Sequence, residues 1–388
     1  MKIINIETYQ IRPRWMLVKI STDEGITGWG EPTLEGKATV VEEMIHVFAA
    51  WLIGEDPGNI EALYQKMYRG GFYRGGFYRG GGIMCSAISG IEQALWDIKG
   101  KKLGVPVWQL LGGRCRDRVR MYAHAVPFKD DPSRGELQYW VKKRVDDGFT
   151  ALKTSMVNPP IRHVDTWKKV EEIVSRIAVM RETAGNGVDI AIDFHGRVSP
   201  AMAPLLMKEL EPFHPMFVEE PVLPENVEAM KEVSGKTVIP IAAGERLFTT
   251  FGFRELVDKR AVHIVQPDLC HCGGILQGLK IAAMAANQYI SVAPHNPLGP
   301  VALAACLQLD TAISNFTAQE HPTHEEKLDL GVGLLKNPFV IKDGYIEVPE
   351  GPGLGIDVDE YAVKELKYNG DWANPVLYFE DDHSMGEW

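Results

Sequence analysis

The chain is short of cysteine and of positive charge, and it has no long apolar run. Its five cysteines, Cys85, Cys115, Cys270, Cys272 and Cys306, are odd in number and lack framework spacing, which excludes a disulfide scaffold and fits a reducing cytosol. Lys and Arg number 41 against 52 Asp and Glu, a net charge of −11, so a nucleic-acid or anionic-membrane partner is not expected. No apolar run is long enough to span a bilayer, and the opening MKIINIETYQ has no apolar core of signal-peptide length. A soluble, cytoplasmic protein is the expectation. Familiar short signatures are missing too. Gly273-Gly274 lacks the dinucleotide-binding context, no G-x-S-x-G elbow or phosphate loop occurs, and Cys270-His271-Cys272 has no second Cys/His pair at zinc-site spacing.

What is present is a rhythm. Asp193, Glu219, Glu245, Asp268, His295 and Glu320 each close a short apolar run: VDIAID, PMFVE, PIAAGE, HIVQPD, YISVAPH and NFTAQE. They recur about every 25 residues, the length of a buried strand, a helix and two loops. With RVRMYAHAV and FTALKTSM before them, the strand-like runs number eight. This predicts a parallel α/β barrel of the TIM type, in which strand ends converge on one mouth where catalytic groups sit. Residues 1–115 read differently, as strands IINIETYQI and WMLVKIST followed by helical stretches near 37–52 and 85–103. They predict a small α+β domain. The barrel is expected over 116–325, and 326–388, rich in Gly and Pro, to pack back on the first domain. Tyr68, Tyr73 and Tyr78 each open a copy of a Tyr-Arg-Gly-Gly repeat, read as a loop over or near a pocket rather than as an RNA-binding segment.

Asp193, Glu219 and Glu245 at successive strand ends make a hard-oxygen set suited to Mg²⁺ with open positions for substrate, or else structural ion pairs. Asp268 and His295 end neighbouring strands. A carboxylate on one ring nitrogen would make the other a general base, the alternative being a satisfied core histidine. His195, two residues past Asp193, can face the same cavity as a second acid/base or stay at the rim. Lys153 would neutralise a bound carboxylate or be solvated. Glu320 would donate to an enediolate oxygen if a raised pKa kept it protonated, or pair with a cation.

IEQALWDIKGKKLGVPVWQLLGG, DFHGR, VEEPV, AAGER, VQPDLCHCGGI and APHNPLGP together resemble the enolase superfamily, and within it the mandelate racemase-like acid-sugar dehydratases. The resemblance runs from MKIINIETY to the terminal GEW. It implies an α+β capping domain on a (β/α)7β barrel, a homo-oligomer, and Mg²⁺ on Asp193, Glu219 and Glu245. It further implies that His295, paired with Asp268, removes the proton beside a substrate carboxylate, and that His195 protonates the departing 3-hydroxyl. Lys153-Thr154-Ser155 lacks the second lysine of members that racemise with two bases. Dehydration of an aldonate, D-galactonate foremost, to a 2-keto-3-deoxy acid is therefore expected. Lys153, Arg246 and the Arg14-Trp15 pair of the capping-domain turn are assigned to the substrate. His124, His321 and His324 fall where the chain departs from the family and bear on sugar recognition.

Overall fold

A computed structural model describes residues 1–70, 80–126, 132–155, 160–322, 327–374 and 376–387. The N-terminal strands β1 (Ile3–Ile11), β2 (Trp15–Thr22) and β3 (Thr27–Gly30) form an antiparallel sheet in which Ile11 faces Trp15 and Val18 faces Gly30. Helices α1 (Ala38–Leu52), α2 (Ile60–Gly70) and α3 (Gly82–Leu103) pack with it. Residues along α3 are buried almost all round, as befits a helix enclosed on every side. A Cβ at Gly28 would lie 2.2 Å from the Ala94 carbonyl oxygen, and one at Gly30 1.9 Å from that of Gly90. Glycine stands at both strand positions because the α3 backbone rests directly on them.

After the short α4 (Val107–Leu110) the chain alternates: β4 (Arg118–His124), α5 (Arg134–Asp146), β5 (Ala151–Ser155), α6 (Trp167–Ala184), β6 (Asp189–Asp193) and α7 (Ala203–Leu210). Then follow β7 (Phe217–Glu219), α8 (Val227–Ser234), β8 (Ile241–Ala243), α9 (Thr249–Asp258), β9 (Ile264–Val265), α10 (Ile275–Ala286), β10 (Ser291–Val292), α11 (Pro300–Ala312) and β11 (Gln319–His321). Neighbouring strands are parallel in the order β10-β9-β8-β7-β6-β5-β4-β11. A parallel bridge from Val292 to Phe316, with Thr317 N donating to the Val292 oxygen at 2.8 Å, brings β10 against the approach to β11 and closes the ring. Among the described residues, eight strands with seven helices between them give the parallel barrel that the sequence rhythm predicts, in the (β/α)7β form that the resemblance implies. The chain then returns as β12 (Tyr345–Glu347), antiparallel to β4, and α12 (Glu360–Glu365), after which Tyr368 N donates to the Gln10 oxygen of β1 at 3.1 Å. Among the described residues no helix is long and apolar enough to cross a membrane.

Two layers of side chains fill the barrel. The lower is an apolar plug with one residue from each strand path: Tyr122, Ala151, Ala191, Phe217, Ala242, Ile264, Ala293 and Ala318. Tyr122 and Phe217 meet edge to face at 6.1 Å, and small alanines make room for them. Since side chains at i and i+2 share a strand face, the next layer up is fixed by arithmetic: His124, Lys153, Asp193, Glu219, Gly244, Gln266, His295 and Glu320. Lys153, Asp193, Glu219, His295 and Glu320 thus stand directly on the plug, while His195, Glu245 and Asp268 lie one or two residues further along the chain.

Candidate active site

A cavity of about 680 Å³ opens above that polar layer, within the size of small-ligand sites. Lys153 is its electrostatic centre. Its ammonium lies 3.0 Å from Asp193 Oδ2, 2.8 Å from Glu219 Oε1 and 2.9 Å from Glu320 Oε1, with the side chain 5% exposed. The solvated alternative for this lysine is therefore set aside. Its position two residues above Ala151 aims it inward, and three carboxylates hold its proton affinity well above the ordinary value despite burial.

Around this ammonium the carboxyls separate. Burial raises the Asp193 carboxyl, but His195, Lys153 and the His195 backbone N–H (2.8 Å) bring it down to about 2. Glu219 goes the other way: burial first, then Asp193, push its carboxyl well above the usual range. Glu245 rises to about 7 through burial and the neighbouring Glu220. For Glu320 the contacts favour the second of its two readings, pairing with a cation. Burial would raise its carboxyl, but Lys153, His295 and His124 hold it well below the usual range. Its Oε1 also meets His124 Nε2 at 2.7 Å, and its Oε2 accepts from Asn296 N at 2.8 Å.

The expected histidine pair is in contact: His295 Nδ1 lies 2.8 Å from Asp268 Oδ2, and its Nε2 3.5 Å from Glu245 Oε2. Burial alone would lower its proton affinity, but Glu245, Glu320 and Asp268 together raise it well above the ordinary value. Across the cavity His195 sits at φ +50°, with Nδ1 3.2 Å from Ser155 Oγ and Nε2 3.2 Å from Asp193 Oδ2. Burial, with Arg197, Lys153 and Arg246 nearby, pushes its ring down to about 3 against the pull of Asp193, so it is neutral here. Arg246 donates to Glu220 Oε2 at 2.8 Å and to the His195 carbonyl at 3.0 Å, bracing that histidine.

The donor set suits a divalent cation. Glu219, Glu245 and His295 each offer an atom within 4.8 Å of the others. Glu219 Oε2 and Glu245 Oε2 are buried without accepting a hydrogen bond, an arrangement costly unless a cation approaches. Asp193, turned toward Lys153 and His195, stands outside that tight group, although it is in register with Glu219 across β6 and β7.

Arg14 lines the cavity, donating to the Pro297 carbonyl at 3.0 Å with its guanidinium 4.9 Å above the Trp372 ring. Trp15 does not line it. The ring is 1% exposed at the start of β2, packed toward Gly299, so its expected substrate contact gives way to a place in the core. His124 faces the cavity and His321 is buried in β11, while His324 and most of the Tyr-Arg-Gly-Gly repeat lie outside the described residues. Sequence reasoning missed Gln266, whose amide is buried without a partner in the polar layer, and Trp372 and Asn374 of the tail, which reach the cavity. Gln266 was findable by stepping two residues from Ile264. The tail residues follow no local pattern.

Residues 4–112 match the family model described as the mandelate racemase / muconate lactonizing enzyme N-terminal domain, and 136–362 match the enolase C-terminal domain-like model. The chain is 47% identical to a D-galactonate dehydratase of Ralstonia pickettii and 45% identical to one of Pectobacterium atrosepticum, across the full length of both chains in each case. Among solved structures, it is similar to a member of the enolase superfamily from Salmonella Typhimurium (TM-score 0.88, 33% identity, 94% of this chain and 98% of that one). A mandelate racemase/muconate lactonizing enzyme-like protein from Rubrobacter xylanophilus is similar at TM-score 0.87 and 36% identity, covering 95% and 98% of the two chains.

Proposed function

The chain belongs to the mandelate racemase / muconate lactonizing enzyme family of the enolase superfamily and is an acid-sugar hydro-lyase; from that premise we propose that it dehydrates an aldonate, D-galactonate foremost, to the 2-keto-3-deoxy acid. The observation that carries the reading is the Asp268–His295 contact, which leaves the second ring nitrogen facing carboxylates and open cavity.

Asp193, Glu219 and Glu245 would hold Mg²⁺, with the unpartnered Glu219 Oε2 and Glu245 Oε2 among the donors. When bound, the cation supplies positive charge at the substrate carboxylate, where electron density accumulates as the neighbouring C–H is lost. The protein's own groups do the rest. His295 Nε2 takes the C2 proton, with Asp268 fixing the tautomer and holding the charge that develops on the ring. Glu245 is among the carboxylates that raise the proton affinity of His295; a cation held by that carboxylate would lower it and ready the base. The C2 electron pair forms a C2–C3 double bond as the C3–O bond breaks. His195 delivers the proton that lets the 3-hydroxyl leave as water. A bound anion raises the proton affinity of this ring against the burial and the nearby cations that depress it. The enol then tautomerises to the ketone. Glu320, as a carboxylate, orients Lys153 and His124, while Arg14, Arg246 and Lys153 receive the acid. A homo-oligomer acting on this small anion completes the reading.

Purified protein with Mg²⁺ should form 2-keto-3-deoxy product from D-galactonate in a screen of aldonic and aldaric acids. The product should vanish with EDTA and in His295→Asn. Hydrogen exchange at C2 without loss of water would replace dehydration by epimerisation, and silence on every acid would overturn the reading.

A further inference from the structure

Helices α10 and α11 start without a side-chain cap of their own, since their flanking residues are Gly274 and Gly299. Helices α5, α6 and α8 by contrast begin on Ser133, Thr166 and Asn226, each of which caps its own helix. Helices α7 and α9 also start without a side-chain cap, but α10 and α11 are the two that follow the loops carrying Asp268 and His295. A helix start leaves backbone N–H groups that need acceptors, and here both sets find them in the N-terminal region. Glu92 of α3 accepts from Ile275 N at 2.7 Å and Leu276 N at 2.9 Å. Glu31, directly after β3, accepts from Gly299 N at 2.8 Å and Ala302 N at 2.9 Å. Both carboxyls are out of solvent.

The same face of α3 holds the rest of the Asp268 loop, at the three- and four-residue spacing of one helix side. Ser86 Oγ lies 2.8 Å from His271 Nδ1, Ser89 Oγ accepts from Gly273 N at 2.9 Å, and Gln93 Nε2 donates to the Leu269 carbonyl at 2.9 Å. Gln93 also joins the two grips, because its Oε1 accepts from Glu31 N at 2.9 Å. The loop in turn holds the carboxylate: Asp268 Oδ1 accepts from Cys270 N at 2.7 Å, leaving Oδ2 for His295.

We propose that Glu31, Ser89, Glu92 and Gln93 are positioning residues for the Asp268–His295 base, so that the N-terminal region sets where the base stands as well as covering the barrel mouth. The proposal rests on the dehydratase reading. A misplacement on the order of 1 Å at a reacting group can cost about 100-fold in rate, and a loop held at five points has little freedom to drift that far.

The test uses the full chain with Mg²⁺ and the acid it converts, unlabelled and deuterated at C2. In Glu92→Gln and Gln93→Met, kcat should fall on the order of 10- to 100-fold with KM within about threefold. The C2-deuterium effect on kcat should rise as proton abstraction becomes the slow step. Ser89→Ala removes a single acceptor and should give the same pattern more weakly, which keeps the test open if Glu92→Gln does not fold. An unchanged kcat per folded molecule with an unchanged isotope effect would overturn the proposal and leave these residues to folding alone. A second readout needs no turnover: the low-field ring N–H resonance of His295, assigned by its loss in His295→Asn, should move in Gln93→Met. If it does not move, the proposal fails. Wild-type silence on every acid would sink the dehydratase reading instead, and the resonance would still decide the positioning.

Discussion

Replacing Lys153 by Met keeps a long unbranched side chain and removes the one ammonium shared by Asp193, Glu219 and Glu320, at 3.0, 2.8 and 2.9 Å. All four side chains are within 5% of full burial, so solvent screens the loss very little. Breaking a buried pair costs about 3–5 kcal/mol. Glu219 limits the cost to that range, since its raised carboxyl can take a proton in place of the lost cation. Over 388 residues unfolding as one unit, with an unfolding entropy of about 2.1 cal/mol/K per residue, the metal-free melting temperature should fall by about 4–6 °C. Excess Mg²⁺ at about 100 times its Kd stabilises by about 2.7 kcal/mol, or about 3 °C, in wild type. The gap between Mg²⁺ and EDTA should widen in Lys153→Met, because the cation there also replaces the missing ammonium. Scanning calorimetry of both proteins in EDTA and in Mg²⁺ measures all four values. Equal melting temperatures in EDTA, or an equal Mg²⁺ gap, would refute the idea that Lys153 stabilises this carboxyl cluster.

Gly30→Ala drives a methyl into the Gly90 carbonyl and should cost at least about 1–3 kcal/mol, read as a lowered melting temperature. Tyr122→Phe deletes a buried hydroxyl that has no partner and should be neutral or stabilising by about 1 kcal/mol in the same assay. Burial lifts the Glu92 carboxyl from 4.5 to about 7 against the Leu276 and Ile275 N–H groups. The folded form then binds more protons than the unfolded chain between about pH 4.5 and 7, so this group's contribution to stability declines as pH rises through that window. Glu92→Gln should flatten the melting-temperature slope there relative to wild type, and an identical slope would contradict it.

The barrel was legible because its strands are buried on both faces and read as continuous apolar runs at a steady interval. The three carboxylates and the histidine pair were legible because each sits at or just beyond the end of such a run. Period two then places His124 and Gln266 in the same layer, a step that needs the identity of the inward-facing residue below. The choice between the two readings of Glu320 could not be made from the sequence, since its charge depends on Lys153, His295 and His124, which lie far away in the chain. Trp15 sits beside a true cavity residue, yet alternation along β2 sends it into the core. The braces from α3 left no local signature, because an uncapped helix start becomes visible only when its distant acceptor is known.

Those braces also bear on how the chain comes together. Glu92 and Ile275 are 183 residues apart, and Glu31 and Ala302 are 271 apart. At synthesis rates of about 5–20 residues per second, α3 emerges roughly 10–40 s before the loop it grips. During that interval Glu31 and Glu92 stay hydrated and the packing faces of α3 lack their partners, which makes the early chain a client for chaperones. Loop closures of this length also slow spontaneous refolding. Activity should consequently return later than helix content when the denatured protein is refolded.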